Sequence, residues 1–225
     1  MPALIQWWTQ DLAVLSPTAL EDAVYAAGAD LLIRWGQPHR HYHGTRHLVE
    51  MFWALEELED AGEIDASAGL LGRVASWWHD AVYDPRAVDG ANEADSAALA
   101  REVLTSLECD AADVDLVEAL VLATASHRGA SDPVERAFLD ADLWILSAPA
   151  SRFDDYCARG APRNTPTCLT RPTPLGRAEQ HPQGVCQRVP RSTVLITLRL
   201  AWEPPARVNL DRELGRLAGP TLDVT

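Results

Sequence analysis

Lysine is absent from this 225-residue chain, so all 19 basic residues are arginine, set against 33 acids for a formal net charge of −14. An excess of that sign repels a nucleic-acid duplex and leaves a small substrate, or one held in a local basic pocket, as the expected partner. The four cysteines, Cys109, Cys157, Cys168 and Cys186, form no C-x-x-C pair and lack the dense spacing of a small secreted scaffold, so a reducing cytoplasm is the expected location. No stretch of about 18 consecutive apolar residues occurs, and Met1 to Val14 has neither a positively charged start nor a long apolar run, which argues against membrane spanning and secretion. Strand signals are missing as well, with Thr193 to Leu200 the one β-like run.

What is present is helical spacing. Hydrophobic residues make up 47% of the chain, enough for a core in one ordinary domain. Ser16-Pro17 predicts an N-cap with proline at the first helical position, followed by Leu20, Val24, Ala27 and Leu31 in a helix to about Trp35. Thr45 predicts the cap of a second helix through Leu48, Phe52, Leu55 and Leu58, ending before Gly62. A third is expected from about Ala66 to Val82, a fourth from Asn92-Glu93 through Leu107, and a fifth from about Asp113 to Ser126. Asp132-Pro133-Val134-Glu135 resembles a capping box for a sixth, running towards Leu146. The fold class expected is all-α, a helical bundle forming a single domain over residues 1–225.

The charge breaks near residue 160. Residues 1–159 hold 28 acids and 10 arginines, whereas 160–225 hold 5 acids and 9 arginines. Within 160–200 there are 6 Pro, 6 Thr and 6 Arg in 41 residues, with Glu179 the single acid and no sustained period. A structureless insertion of that length is unusual in a compact domain. A frameshift is one explanation, because Ala161 to Thr170 can be encoded so that the neighbouring frame reads A-A-E-H-A-Y-V-P-D; a Pro-rich linker or surface loop is the other. A C-terminal helix is expected within 201–225, with Leu210, Leu214 and Leu217 on one face.

Three stretches carry chemistry. Six of the seven histidines lie between His39 and His127, four of them in Pro38-His39-Arg40-His41-Tyr42-His43-Gly44-Thr45-Arg46-His47. His79-Asp80 ends the aromatic, apolar run that contains Trp77 and Trp78, and neither polar group is cheap to bury without a partner. Adjacent helical residues diverge by about 100°, so both can reach one ion only at the helix end or edge. Asp142, in Asp140-Ala141-Asp142-Leu143, shares a face with Phe138, Leu139, Ile145 and Leu146 and also calls for a cation, with Asp140 the substitute if the register differs. Together His47, His79, Asp80 and Asp142 offer two imidazoles and two carboxylates, a set suited to a divalent Mn, Fe, Co, Ni or Mg ion with open positions.

R-H-Y-H-G-T-R-H-L, W-W-H-D-A-V-Y-D-P, N-E-A-D-S-A and L-D-A-D-L-W-I-L, in this order, resemble the HD-domain superfamily of metal-dependent phosphohydrolases, and more narrowly its predicted HD phosphohydrolase family. The likeness covers about residues 5–158 and returns at W-E-P-P-A-R-V-N-L-D-R-E-L. It implies an HD-type helical fold with His47, His79, Asp80 and Asp142 as metal ligands. Similarity of the Tyr42-His43-x-x-x-His47 and Ala141-Asp142-Leu143 blocks to cyclic-nucleotide phosphodiesterases implies that His43 is a general acid. Over 160–200 the chain departs from the family, which would continue there with helices.

The function expected is hydrolysis of a small phosphate ester, a nucleotide first among them, by water that the metal activates and Asp80 helps to orient. The alternative is a non-catalytic helical module that binds a metal or nucleotide for regulation. His127 reads as a second-metal ligand or phosphate contact, or else as a helix C-terminal imidazole satisfying carbonyls. Arg46 and Arg128 read as phosphate contacts or surface arginines. Asp84 and Glu93 read as second-sphere residues orienting ligands or water, or as solvated acids. Trp77 and Trp78 read as core.

Overall fold

The computed structural model describes residues 2–127, 132–160 and 201–218; the proline- and arginine-rich stretch 161–200, to which the frameshift explanation applies, and Arg128 lie outside them, as therefore do Cys168 and Cys186. Among the described residues there is no strand, and the expected all-α class holds. The chain divides into two units, Met1–Asp142 and Leu143–Thr225.

The first unit contains α1 (Pro2–Leu15), α2 (Glu21–Trp35), α3 (Thr45–Asp60), α4 (Ala66–Trp78), α5 (Ala91–Ser106), α6 (Ala111–Ala123) and α7 (Pro133–Asp142). Helix α4 is its axis. Ala68, Leu71, Val74, Ala75, Trp77 and Trp78 are all buried, which leaves α4 apolar around most of its circumference, and it packs on α1, α3, α5, α6 and α7. Fully burying side chains the size of Leu71 and Val74 contributes about 1.5–3 kcal/mol each. Gly72 lets α3 approach closely, since a Cβ there would stand 3.1 Å from Leu55 Cδ2. Asp65 caps α4 by accepting from the Ala68 amide at 2.8 Å.

Helix α1 has no counterpart in the sequence-based expectation. It is held by Leu4, Trp8 and Leu12, spaced four residues apart and buried. Trp8 donates from Nε1 to the Val24 carbonyl at 2.7 Å and meets Trp77 and Trp78 edge-on. Ser16 therefore does not open α2 as expected. Its amide closes α1 on the Leu12 carbonyl and its hydroxyl donates to the Leu107 carbonyl, so α2 starts at Glu21 after Leu20. Thr45 is likewise the first helical residue of α3 and not its cap, a position taken by Gly44. Asn92 does not cap α5 either; its amide group is spent on both backbone groups of Asp84, and Gly90 precedes the helix with φ +80°. The Asp132 cap is present as expected, accepting from the Val134 and Glu135 amides.

The second unit holds a 3-10 turn (Leu143–Ser147), α8 (Ala150–Gly160) and α9 (Glu203–Ala218). The buried face of α9 is Trp202, Ala206, Asn209 and Glu213, not the expected stripe, for Leu214 is 47% exposed. The reason is polar. Asn209 Nδ2 donates to the carbonyls of Leu146 and Ala148 at 2.9 and 2.8 Å, satisfying the end of the 3-10 turn and fixing the rotation of α9.

Candidate metal centre

Three helix ends of the first unit deliver the site. His47 is in the first turn of α3, His79 follows the last residue of α4, and Asp142 closes α7. Helices α3 and α4 run antiparallel across the close approach at Gly72, so the start of one lies beside the end of the other. Asp80 lies in the turn after α4, at the helix end where it and His79 can both face one point.

His47 Nε2 is 3.1 Å from His79 Nε2 and 3.0 Å from Asp142 Oδ1; His79 Nε2 is 3.6 Å from the same oxygen. Asp80 Oδ2 stands 3.3 Å from His79 Nε2 and 4.0 Å from His47 Nε2. Both imidazoles are almost fully enclosed, at 1% and 2% exposure. Ligands about 2.1 Å from one ion are about 3.0–3.4 Å from their nearest fellows, so the spacing fits. Proton count supports the fit, since each Nε2 carries at most one hydrogen while four nitrogen and oxygen atoms crowd together. A cation satisfies His47, His79 and Asp142 at once. His47, His79 and Asp142 form one group that can hold a metal ion, and His43, His47 and Asp80 form a second that shares His47.

The outer contacts orient the ligands. His79 donates from Nδ1 to the Ser76 carbonyl at 2.9 Å, which turns Nε2 inward. His127 Nε2 is 2.8 Å from Asp142 Oδ2, leaving Oδ1 to face the two imidazoles. His127 has φ +51°, a left-handed backbone that a non-glycine residue adopts at a cost of about 1–2 kcal/mol. The structure thus gives His127 a carboxylate contact just past the end of α6.

The charges are tightly coupled when no ion is bound. Burial disfavours a proton on His79, yet the carboxylates of Asp80 and Asp142 outweigh it and push the imidazolium up to about 9. His47 goes the other way, pushed down by burial and by the charge on His79 despite Asp142. Burial alone would raise the two carboxyls, but His43 and His79 hold Asp80, and His127, His47 and His79 hold Asp142, well below the ordinary range.

Of the other expected residues, His43 reaches the site from the loop before α3, not from a helical turn, because α3 begins two residues later. Its Nδ1 lies 2.5 Å from Asp80 Oδ2. Arg46 is exposed and pairs with Glu50 at 3.1 Å, one helical turn on. Asp84 accepts from the Arg86 amide on the surface, and Glu93 sits half-buried in the first turn of α5; neither joins the cluster. Asp140 is buried but stays outside the group that Asp142 completes. Trp77 and Trp78 are core.

Two residues went unread in the sequence: Arg40, which donates to the Asp80 carbonyl at 2.6 Å, and Tyr42, whose ring centroid is 4.7 Å from that of His47. An arginine inside a histidine tract was the available signal for the first. Compared with known proteins, the chain matches no family model, no curated protein and no solved structure.

Proposed function

We propose that the chain is a metal-dependent phosphohydrolase acting on a small phosphate ester, with His47, His79, Asp80 and Asp142 as the ligands. The observation that carries this reading is the convergence of His47 Nε2, His79 Nε2 and Asp142 Oδ1 within 3.6 Å of one another in a nearly closed space. The motif blocks that resemble HD-domain phosphohydrolases supply the reaction class, and nucleotides are the first substrates to test.

A divalent ion held there supplies Lewis acidity towards a phosphoryl oxygen and acidifies a water towards neutral pH. The side chains do the rest. One Asp80 oxygen, Oδ2, stands 3.3 Å from His79 Nε2 and 2.5 Å from His43 Nδ1, so it ties the ligand set to the proton donor. His43 commits Nδ1 to Asp80 and keeps Nε2 for the departing oxygen, which it protonates as the ester bond breaks. His79 is held by Ser76 and Asp142 by His127, so neither has to reorganise when substrate arrives.

Metal analysis of the purified protein, followed by phosphate release from a panel of nucleotides and simple phosphate esters, tests the reading. The expected result is a bound divalent ion and turnover of at least one ester that His79→Ala abolishes. A metal-loaded protein that turns over none of them overturns the reading in favour of a binding module.

A further inference from the structure

Arg40 is a buried cation, 8% exposed, in the loop between α2 and α3. Nε donates to Gln37 Oε1 at 3.1 Å, Nη1 to the carbonyls of His43 and Asp80 at 3.2 and 2.6 Å, and Nη2 to the carbonyl of Ala81 at 3.2 Å. The guanidinium carbon lies 5.6 Å from the Trp35 ring centroid and 5.3 Å from that of Tyr83. Those four acceptors are uncharged, and with four of its five N–H groups engaged the side chain has little left to offer a phosphate.

Its partners divide into two stretches of backbone. One is the loop that ends in His43, and the other is the turn that holds Asp80 and Ala81. The side chains of His43 and Asp80, whose carbonyls the same Nη1 grips, are the pair that meets at 2.5 Å. We propose that Arg40 is a positioning residue that locks the His43 loop to the Asp80 turn and so sets the geometry in which His43 gives up its proton. This rests on the reading of His43 as proton donor. The planar fork is essential to it: a guanidinium holds three carbonyls from two directions in one rigid plane, whereas a lysine ammonium is a point charge on a flexible stem. Without the fork, His43 hangs on a loop with no regular structure, and a displacement of about 1 Å costs a reacting group on the order of a hundredfold in rate.

The test uses Arg40→Ala and Arg40→Lys in the full chain, the second serving if the first fails to melt cooperatively. In metal-free protein, the proton between His43 Nδ1 and Asp80 is read by NMR as a downfield imidazole N–H signal, assigned by its loss in His43→Gln. Both Arg40 variants are expected to lose this signal or to exchange it with water at least about tenfold faster. In metal-loaded protein, two phosphate esters differing only in leaving group, an alkoxide and a nitrophenolate, are compared. Turnover of the alkyl ester is expected to fall at least about tenfold, while the nitrophenyl ester, which needs no proton donor, stays within about threefold and the bound metal is unchanged. Equal losses on both esters, or an unaltered N–H signal in Arg40→Lys, overturn the proposal. If the wild-type chain hydrolyses neither ester, the phosphohydrolase reading fails by itself, and the NMR signal alone decides whether Arg40 positions His43.

Discussion

His47 Nε2 and His79 Nε2 lie 3.1 Å apart, closer than two imidazoles stand without a shared proton or a shared cation. Each comes from a different helix end, so the pair measures how well α3 and α4 are docked. Removing either ring should empty the site: His47→Ala and His79→Ala are each expected to weaken divalent-ion binding by at least about tenfold, read by calorimetric titration after chelation. For the wild-type chain, adding the ion at about a hundred times its Kd should stabilise the fold by about 2.7 kcal/mol, visible as a raised Tm. A Tm indifferent to every divalent ion defeats this prediction.

Without metal, stability should depend on pH through His79. Its folded pKa of about 9 lies above the ordinary 6.5, so its contribution is fully present below pH 6.5 and is lost as pH rises through 9. His47 has the opposite sign: depressed in the fold, its contribution is present above 6.5 and fades as pH falls. Chelated protein should therefore lose stability between pH 6.5 and 9, by up to about 3 kcal/mol in urea melts. His79→Asn should flatten that limb, and an unchanged slope in the variant refutes the assignment.

Much of this centre was legible because its ligands interrupt apolar helical runs. Asp142 and His79 stood out for that reason, and the structure brings both to one point. Helix lengths were readable within a few residues from spacing, and the starts at Ala66 and Pro133 fall where expected, but three other caps do not. Ser16, Thr45 and Asn92 all look like openings locally, and each is claimed by something distant or by a neighbouring glycine. Arg40 was illegible because its role depends on carbonyls forty residues away. The face of α9 was misread by roughly one position because Asn209, a polar residue, is what sets its rotation.

Packing at the centre of the first unit gives a stability prediction that helix propensity alone gets wrong. Gly28→Ala improves an α-helical position by about 1 kcal/mol in isolation. Here the new Cβ would stand 2.3 Å from Trp8 Cδ1, and Trp8 is wedged against Trp77 and Trp78. The substitution is expected to destabilise by about 1–3 kcal/mol, measured by urea unfolding, with divalent-ion affinity of the folded protein unchanged. A stabilised variant would mean that α1 is free to move.

His127 permits a sharper separation of strain from function. Its imidazole holds the outer oxygen of Asp142, and its backbone occupies the left-handed region to do so. His127→Gly and His127→Ala both remove the contact, so both should lower metal affinity by about ten- to a hundredfold. They differ in backbone cost: glycine enters that region freely, alanine does not, and the glycine variant should be the more stable by about 1 kcal/mol when metal-free. Equal metal loss with unequal stability is the expected pattern. If the alanine variant keeps wild-type affinity, the strained turn serves packing and Asp142 needs no support from it.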